Sequence, residues 1–182
     1  YEIIVHKCHR ISWDRGVRQA VRQLVEFGDA DRTRLSDREA AYTDKTAAII
    51  YYASSWYEEN ALPLATVIAS ARQRQVPVIV DAAANLPPVE NLWHYTQLGA
   101  GLVIFSGGKG LGGPQCTGLI LGKAELIEAC RLNGSPNSAI GRVAKVGKEE
   151  IMGLLTAVER YLDRDHAADL ARREQWVSYL ID

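Results

Sequence analysis

Apolar residues fall along this chain in two rhythms. Short, almost unbroken apolar runs recur at EIIV (2–5), TAAIIYYA (46–53), VPVIVDA (76–82), GLVIFS (101–106) and CTGLILG (116–122). They lack the polar alternation of a half-solvated strand, so each predicts a strand covered on both faces. Between them the spacing turns helical. Val17, Val21, Leu24 and Val25 share one face of a helix predicted over 15–27. Residues 29–40 are polar and charged, and Ser36 followed by Glu39 reads as a capping box opening a short helix. Pro63 marks the start of a helix to 74. Further helices are predicted over 90–98, 123–131, 148–163 and 165–180. Strands alternating with helices predict an α/β fold, a mostly parallel sheet sandwiched by helices with right-handed crossovers. In such an open sheet, ligands gather beyond the carboxyl ends of the strands.

Composition narrows the reading only a little. The 182 residues suit one domain with the edge of a second, and a formal charge of −1 provides no field for nucleic acid or a membrane surface. No apolar run approaches the ~20 residues of a membrane span. Cys8, Cys116 and Cys130 are odd in number and widely spaced, which reads as reduced thiols in a cytoplasmic protein. The four histidines and three cysteines are too scattered for a zinc pattern. The chain opens in YEIIV without Met and stops inside an apparent helix at WVSYLID, so a longer parent protein is expected. The loop from 132 is rich in Gly, Ser, Asn and basic residues, and it divides the chain into 1–147 and a pair of connector helices over 148–182.

Two charged residues stand at predicted strand ends. The run 76–81 closes on Asp81, and 101–106 is followed by FSGGKGLGGPQCTG, with Lys109 among glycines. The two are 28 residues apart with one helix between them, the span of a βαβ unit, so neighbouring parallel strands would bring both to one crevice. A structural ion pair is one reading. The other is pyridoxal phosphate, whose aldehyde condenses with a lysine amine and whose ring nitrogen needs a carboxylate to stay protonated. Gly108 and its neighbours then let the backbone approach the cofactor. Ser106 offers a hydroxyl to the phosphate, and the loop amides add to the anion site. Gly108, Gly110 and Gly113 also spell GxGxxG, but Pro114 and a strand follow where a helix should open; Gly110 after the lysine fails the P-loop pattern.

The segments VIVDAAANLPPVENLW, LGAGLVIFSGGKGLGGPQCTGLILGK and LNGSPNSAIGR, the last continuing into AKVGKEEIMGLLTAVERYL, resemble the selenium-transferase-like branch of the fold-type-I pyridoxal phosphate enzymes. That branch includes L-seryl-tRNA(Sec) selenium transferase and D-glucosaminate-6-phosphate ammonia lyase. The resemblance implies that Lys109 carries the cofactor and that Asp81 is the pyridinium partner. It also implies that a residue after the first strand stacks on the ring, with His9 the best match in HKCHR and His6 the second. Ser54 and Ser55 either touch the ring oxygen or cap their loop. Arg142 and Lys145 lie in a basic loop placed for a phosphate or a substrate acid, or simply solvated; in this fold such a loop often reaches a neighbouring subunit's site. Gly112 stands where many lyase-like relatives carry a basic residue, which weakens the case for a phosphorylated substrate.

The expected activity is abstraction of a Cα proton by the lysine amine, followed by β-elimination or replacement on a small amino-acid or amino-sugar-acid substrate. Selenium transfer is the alternative and would bring tRNA as partner. Aminotransfer or racemisation on the same fold, and a non-catalytic scaffold, are the others. The resemblance further implies a homo-oligomer.

Overall fold

The computed structural model describes residues 1–20 and 23–181. Six strands form one sheet: β1 (Glu2–His6), β2 (Gln23–Phe27), β3 (Thr46–Tyr52), β4 (Val78–Asp81), β5 (Leu102–Ser106) and β6 (Gly118–Gly122), in the order β2-β1-β3-β4-β5-β6. All neighbours pair in parallel except β5 and β6, which run antiparallel. The α/β architecture read from the sequence is therefore the observed one. The antiparallel β6 follows from chain length. Residues 107–117 contain no helix, and a parallel crossover needs a dozen or more residues.

Alternation along the strands sends side chains to two cores. Ile4, Ile49, Tyr51, Val78, Val80, Val103 and Phe105 point to the larger one. It is closed by Ala41 of α2 (Leu35–Ala41), Val67, Ile68 and Ala71 of α4 (Leu64–Gln73), Leu92 and Tyr95 of α5 (Asn91–Leu98), and Tyr161 of α7 (Lys148–Leu162). Ile4 and Ile49 are fully buried, each contributing about 1.5–3 kcal/mol relative to exposure. The opposite face holds Ile3, Val5, Ala48, Ile50 and Tyr52, against Val17 of α1 (Asp14–Ala20) and Tyr57 of α3 (Ser55–Glu58). On that face β4–β6 are less covered: Ile79 and Ile104 are half-buried and Ile120 is 41% exposed.

Two local expectations are corrected. The helix predicted over 15–27 is α1 followed by β2, which pairs with β1 from Gln23 to Phe27. Leu24 and Val25 lie on opposite sides of a strand rather than on one helical face, and Val21 lies outside the described residues. Ser36 does not cap α2. That helix starts at Leu35, and the Asp37 carboxylate accepts the Arg34 N–H at 2.8 Å. Glu39 instead accepts from Arg38 (2.6 Å), Ser70 (2.6 Å) and Arg74 (3.0 Å), tying α2 to α4.

Arg38 is wholly buried, with its other terminal nitrogen donating to the Val67 carbonyl at 3.0 Å. A buried guanidinium is tolerable only while its counter-charge stays. Glu39→Ala is therefore expected to destabilise the fold by about 3 kcal/mol, the low end for an unpaired buried charge because Val67 still accepts. Urea unfolding of the variant against the parent checks this.

After the sheet come α6 (Ala124–Asn133), a loop, α7 and α8 (His166–Ile181). Leu154 and Val158 of α7 pack on the larger core, whereas Ile151 and Leu155 are about half exposed and α8 buries none of its residues. No helix among the described residues is long and apolar enough to cross a membrane. Cys8, Cys116 and Cys130 are free.

Candidate active site at the carboxyl edge of the sheet

The strand register places the two charged residues. Asp81 ends β4 opposite Ile104 of β5 and Tyr52 of β3. Ser106, two residues beyond Ile104, ends β5 on the same face as Asp81, since strand side chains alternate. The chain then turns directly into the Lys109 loop. Asp81, Ser106 and Lys109 thus leave adjacent parallel strands at one edge. The connection between them is α5, stopped by Gly99 at φ +103, a left-handed cap from which Ala100 N–H bonds the Tyr95 carbonyl at 3.0 Å.

Asp81 and Lys109 are not joined as an ion pair, which removes the structural pairing from consideration. Asp81 is half-buried; its Oδ1 accepts the Ala83 N–H at 3.0 Å. Among the described residues its other oxygen accepts no hydrogen bond. Tyr52 stands beside it on the same face. Burial raises the pKa of the Tyr52 hydroxyl, with the charges of Asp14 and Asp81 adding to the rise, so Tyr52 stays a neutral donor, here to Asp14 at 3.3 Å. Lys109 is exposed and has no ion-pair partner among the described residues.

The glycines around Lys109 have a packing reason. A Cβ on Gly107 would lie 1.9 Å from Thr117 Oγ1, one on Gly108 2.6 Å from Gln115 Cα, and one on Gly110 2.4 Å from the Leu86 carbonyl oxygen. The loop therefore presses its backbone onto the protein itself at these positions. It closes through Gly113 N–H to Gly107 O (2.7 Å), Gly112 N–H to Lys109 O (3.0 Å) and Gly107 N–H to Thr117 O (2.9 Å). The amides of Gly108, Lys109 and Gly110 donate to no acceptor among the described residues and are free to meet an anion.

His9 lies in the turn after β1, as read from the sequence, but its ring is fully enclosed. It packs 4.5 Å from the His6 ring, edge-on to Tyr51 at 4.7 Å and near Tyr57 at 6.1 Å. Its Nδ1 accepts the Tyr52 N–H at 3.4 Å, and Nε2 has no partner among the described residues. Neither face is open, so stacking on a cofactor would require this packing to shift. His6 is equally buried, with Nε2 accepting from Leu62 N–H at 3.2 Å. Ser54 caps α3 through its Oγ, accepting from Trp56 N–H at 3.4 Å, and Ser55 is exposed in the first turn. Arg142 and Lys145 lie in and just after a 3-10 turn before α7, exposed, with no hydrogen bond or ion pair to Asp81, Ser106 or Lys109.

Most of this arrangement fits pyridoxal phosphate: among the described residues, a lysine amine without an ion-pair partner, a strand-end carboxylate with one oxygen unbonded, and three loop amides without an acceptor, close in sequence to a serine. The enclosed His9 is the element that does not yet offer its expected surface.

Comparison with known proteins follows the same lines. The chain is 38% identical over 167 residues to 5'-C-glycyluridine monooxygenase-decarboxylase from a Streptomyces species, covering 88% of this chain and 40% of the relative. It is 32% identical over 165 residues to D-glucosaminate-6-phosphate ammonia lyase from Salmonella typhimurium, covering 88% and 42%. A solved structure of a D-glucosaminate-6-phosphate ammonia lyase superposes with a TM-score of 0.77 at 32% identity, covering 90% of this chain and 44% of that one. The chain thus spans less than half the length of these relatives. The model of L-seryl-tRNA selenium transferase, SelA, matches residues 14–172, and the chain belongs to that family of fold-type-I pyridoxal phosphate enzymes.

Proposed function

We propose that the protein carrying this chain binds pyridoxal phosphate through Lys109 and Asp81 and acts at the Cα of an α-amino-acid group, removing its proton and releasing or replacing a β-substituent. The observation that carries the reading is the exit of Asp81 and Lys109 from adjacent parallel strands at one sheet edge, with neither paired to the other. When bound, the cofactor supplies an electron sink for charge developing at Cα.

The chain's own residues supply the rest. The Lys109 Nζ would be the amine that holds the cofactor through its aldehyde, and it is the base within this loop that could take the Cα proton. The Asp81 carboxylate would hold the ring nitrogen in its protonated form by a charge-assisted hydrogen bond. Ser106 Oγ and the amides of Gly108, Lys109 and Gly110 would receive the phosphate. Arg142 and Lys145 are cations for a substrate carboxylate or phosphate.

The names of the relatives support a reading of the substrate class. Glucosaminate, a seryl group and a glycyluridine all carry an amino-acid function on a larger polar body. We take the substrate class to be the same. Tight binding of tRNA would move the reading to selenium transfer, and self-association into a homo-oligomer belongs to the proposal. The 38% identity to a monooxygenase-decarboxylase favours a second reading, in which the Cα carboxylate is lost with consumption of dioxygen.

The test uses the full-length protein loaded with pyridoxal phosphate. It should be yellow, and borohydride should bleach it and fix the cofactor mass on the peptide holding Lys109. Incubation with amino acids, amino-sugar acids and glycyl nucleosides should release ammonia and a keto acid. Dioxygen uptake with carbon dioxide release would select the second reading. A colourless protein whose Lys109 takes no label would end both.

A further inference from the structure

We propose that Gln115 is a positioning residue for Lys109: its side-chain amide holds the Gly108 carbonyl and so fixes the backbone that immediately precedes the lysine. The inference rests on reading Lys109 as the reactive amine.

The need for such a clamp comes from the loop's composition. Lys109 is flanked by Gly107, Gly108 and Gly110, residues that restrict the backbone least. An amine that must meet an aldehyde and later a Cα proton gains from being held in one geometry. The hydrogen bonds from Gly113 to Gly107 and from Gly112 to Lys109 close the loop, but they leave the Gly108 carbonyl untouched. Among the described residues, the one side chain that bonds the backbone of 107–110 is Gln115, whose Nε2 donates to Gly108 O at 3.2 Å.

The clamp itself stands on fixed ground. Pro114, before it, packs so closely on Gly153 of α7 that a Cβ there would lie 2.8 Å from its ring. The Pro114 carbonyl accepts both the Thr117 N–H (3.1 Å) and the Thr117 hydroxyl (2.6 Å). A Cβ on Gly108 would meet Gln115 Cα at 2.6 Å, so the two backbones touch without an intervening side chain. The Gln115 side chain instead folds back so that its terminal amide donates to the Gly108 carbonyl. Glutamate has the length, but its ionised carboxylate would face a carbonyl oxygen.

Gln115→Met keeps length and bulk and removes the donor. In the full-length protein two measurements are made: per-residue hydrogen exchange of the Gly112 and Gly113 amides, and the rate at which added pyridoxal phosphate is fixed on Lys109 by borohydride. Both are expected to change about fivefold, the factor one neutral hydrogen bond is worth, exchange rising and labelling falling, with the melting temperature unmoved. Gln115→Glu should behave like Gln115→Met. Parental exchange and labelling in Gln115→Met would overturn the proposal, as would a fall in melting temperature that accounts for both changes. If the parent takes no label on Lys109, the reading of the amine fails, and the exchange rates alone decide whether Gln115 orders the loop.

Discussion

Lys109→Ala is expected to lower turnover on whichever amino substrate the full-length protein accepts by about 10²–10⁴-fold from loss of the proton-transfer group alone. Loss of the amine that anchors the cofactor deepens the effect. The fold should not notice. Lys109 is exposed and has no ion-pair partner among the described residues, so its removal is worth about 0.5 kcal/mol or less in stability. Lys109→Arg should fail to rescue, because a guanidinium keeps its proton at any working pH and does not act as a nucleophile or base. Asp81→Asn makes a useful companion. Its amide oxygen can still accept the Ala83 N–H that Asp81 accepts now, so the turn survives while the charge is lost. Steady-state kinetics beside thermal unfolding separates the outcomes. Turnover within tenfold of the parent for Lys109→Ala, at unchanged stability, would remove the lysine from the chemistry.

How much of this could be read from residues alone differs from element to element. The strands at 46–52, 78–81 and 102–106 were legible because unbroken β-branched runs between helical periods leave little else to form. Their carboxyl ends then fixed the address of Asp81 and Lys109, and the register bears that address out. The segment 15–27 misled because four apolar residues fit a helical stripe while QLVEF also fits a strand. What decides it is a partner, β1, that no local window contains. Glu39 misled for a related reason: a capping-box spacing is local, whereas its actual partners include Ser70 on α4 and Arg74 just after it. The antiparallel turn of β6 carried a readable signal in the short, helix-free connection. The enclosure of His9 had none. It depends on Tyr51 and Tyr57 arriving from elsewhere in the chain.

That enclosure sets the second large expectation, a loss of stability in mild acid. Burial lowers the pKa of His6 to about 3, with His9 and Arg38 adding repulsion. Burial likewise lowers His9 to about 4, partly offset by the nearby Tyr57 backbone. In the unfolded chain both return to about 6.5. The unfolded state therefore binds more protons wherever pH lies below 6.5 and above the folded values, and stability rises with pH across that window. The contribution of the neutral pair is complete above about pH 6.5. It falls by up to about 2.7 kcal/mol per pH unit as pH drops towards 4, then at about half that slope to 3, where only His6 still differs. Glu39, whose partners Ser70, Arg74 and Arg38 hold its pKa below the usual value, adds its own loss only at the acid end, below its unfolded range. The interval between pH 5 and 6.5 thus reports the imidazoles. Urea midpoints measured there should drop steeply for the parent. His6→Gln and His9→Gln should each flatten the slope by about one proton, whatever they cost at pH 7.5. A parental curve that stays flat from pH 7 to 5 would mean that the two rings are not held neutral, and that the packed cluster of His6, His9, Phe27 and Tyr51 opens in solution. The same opening would expose the His9 face that stacking on a cofactor ring requires, so the acid titration also measures how far this end of β1 stands from the geometry the proposed chemistry needs.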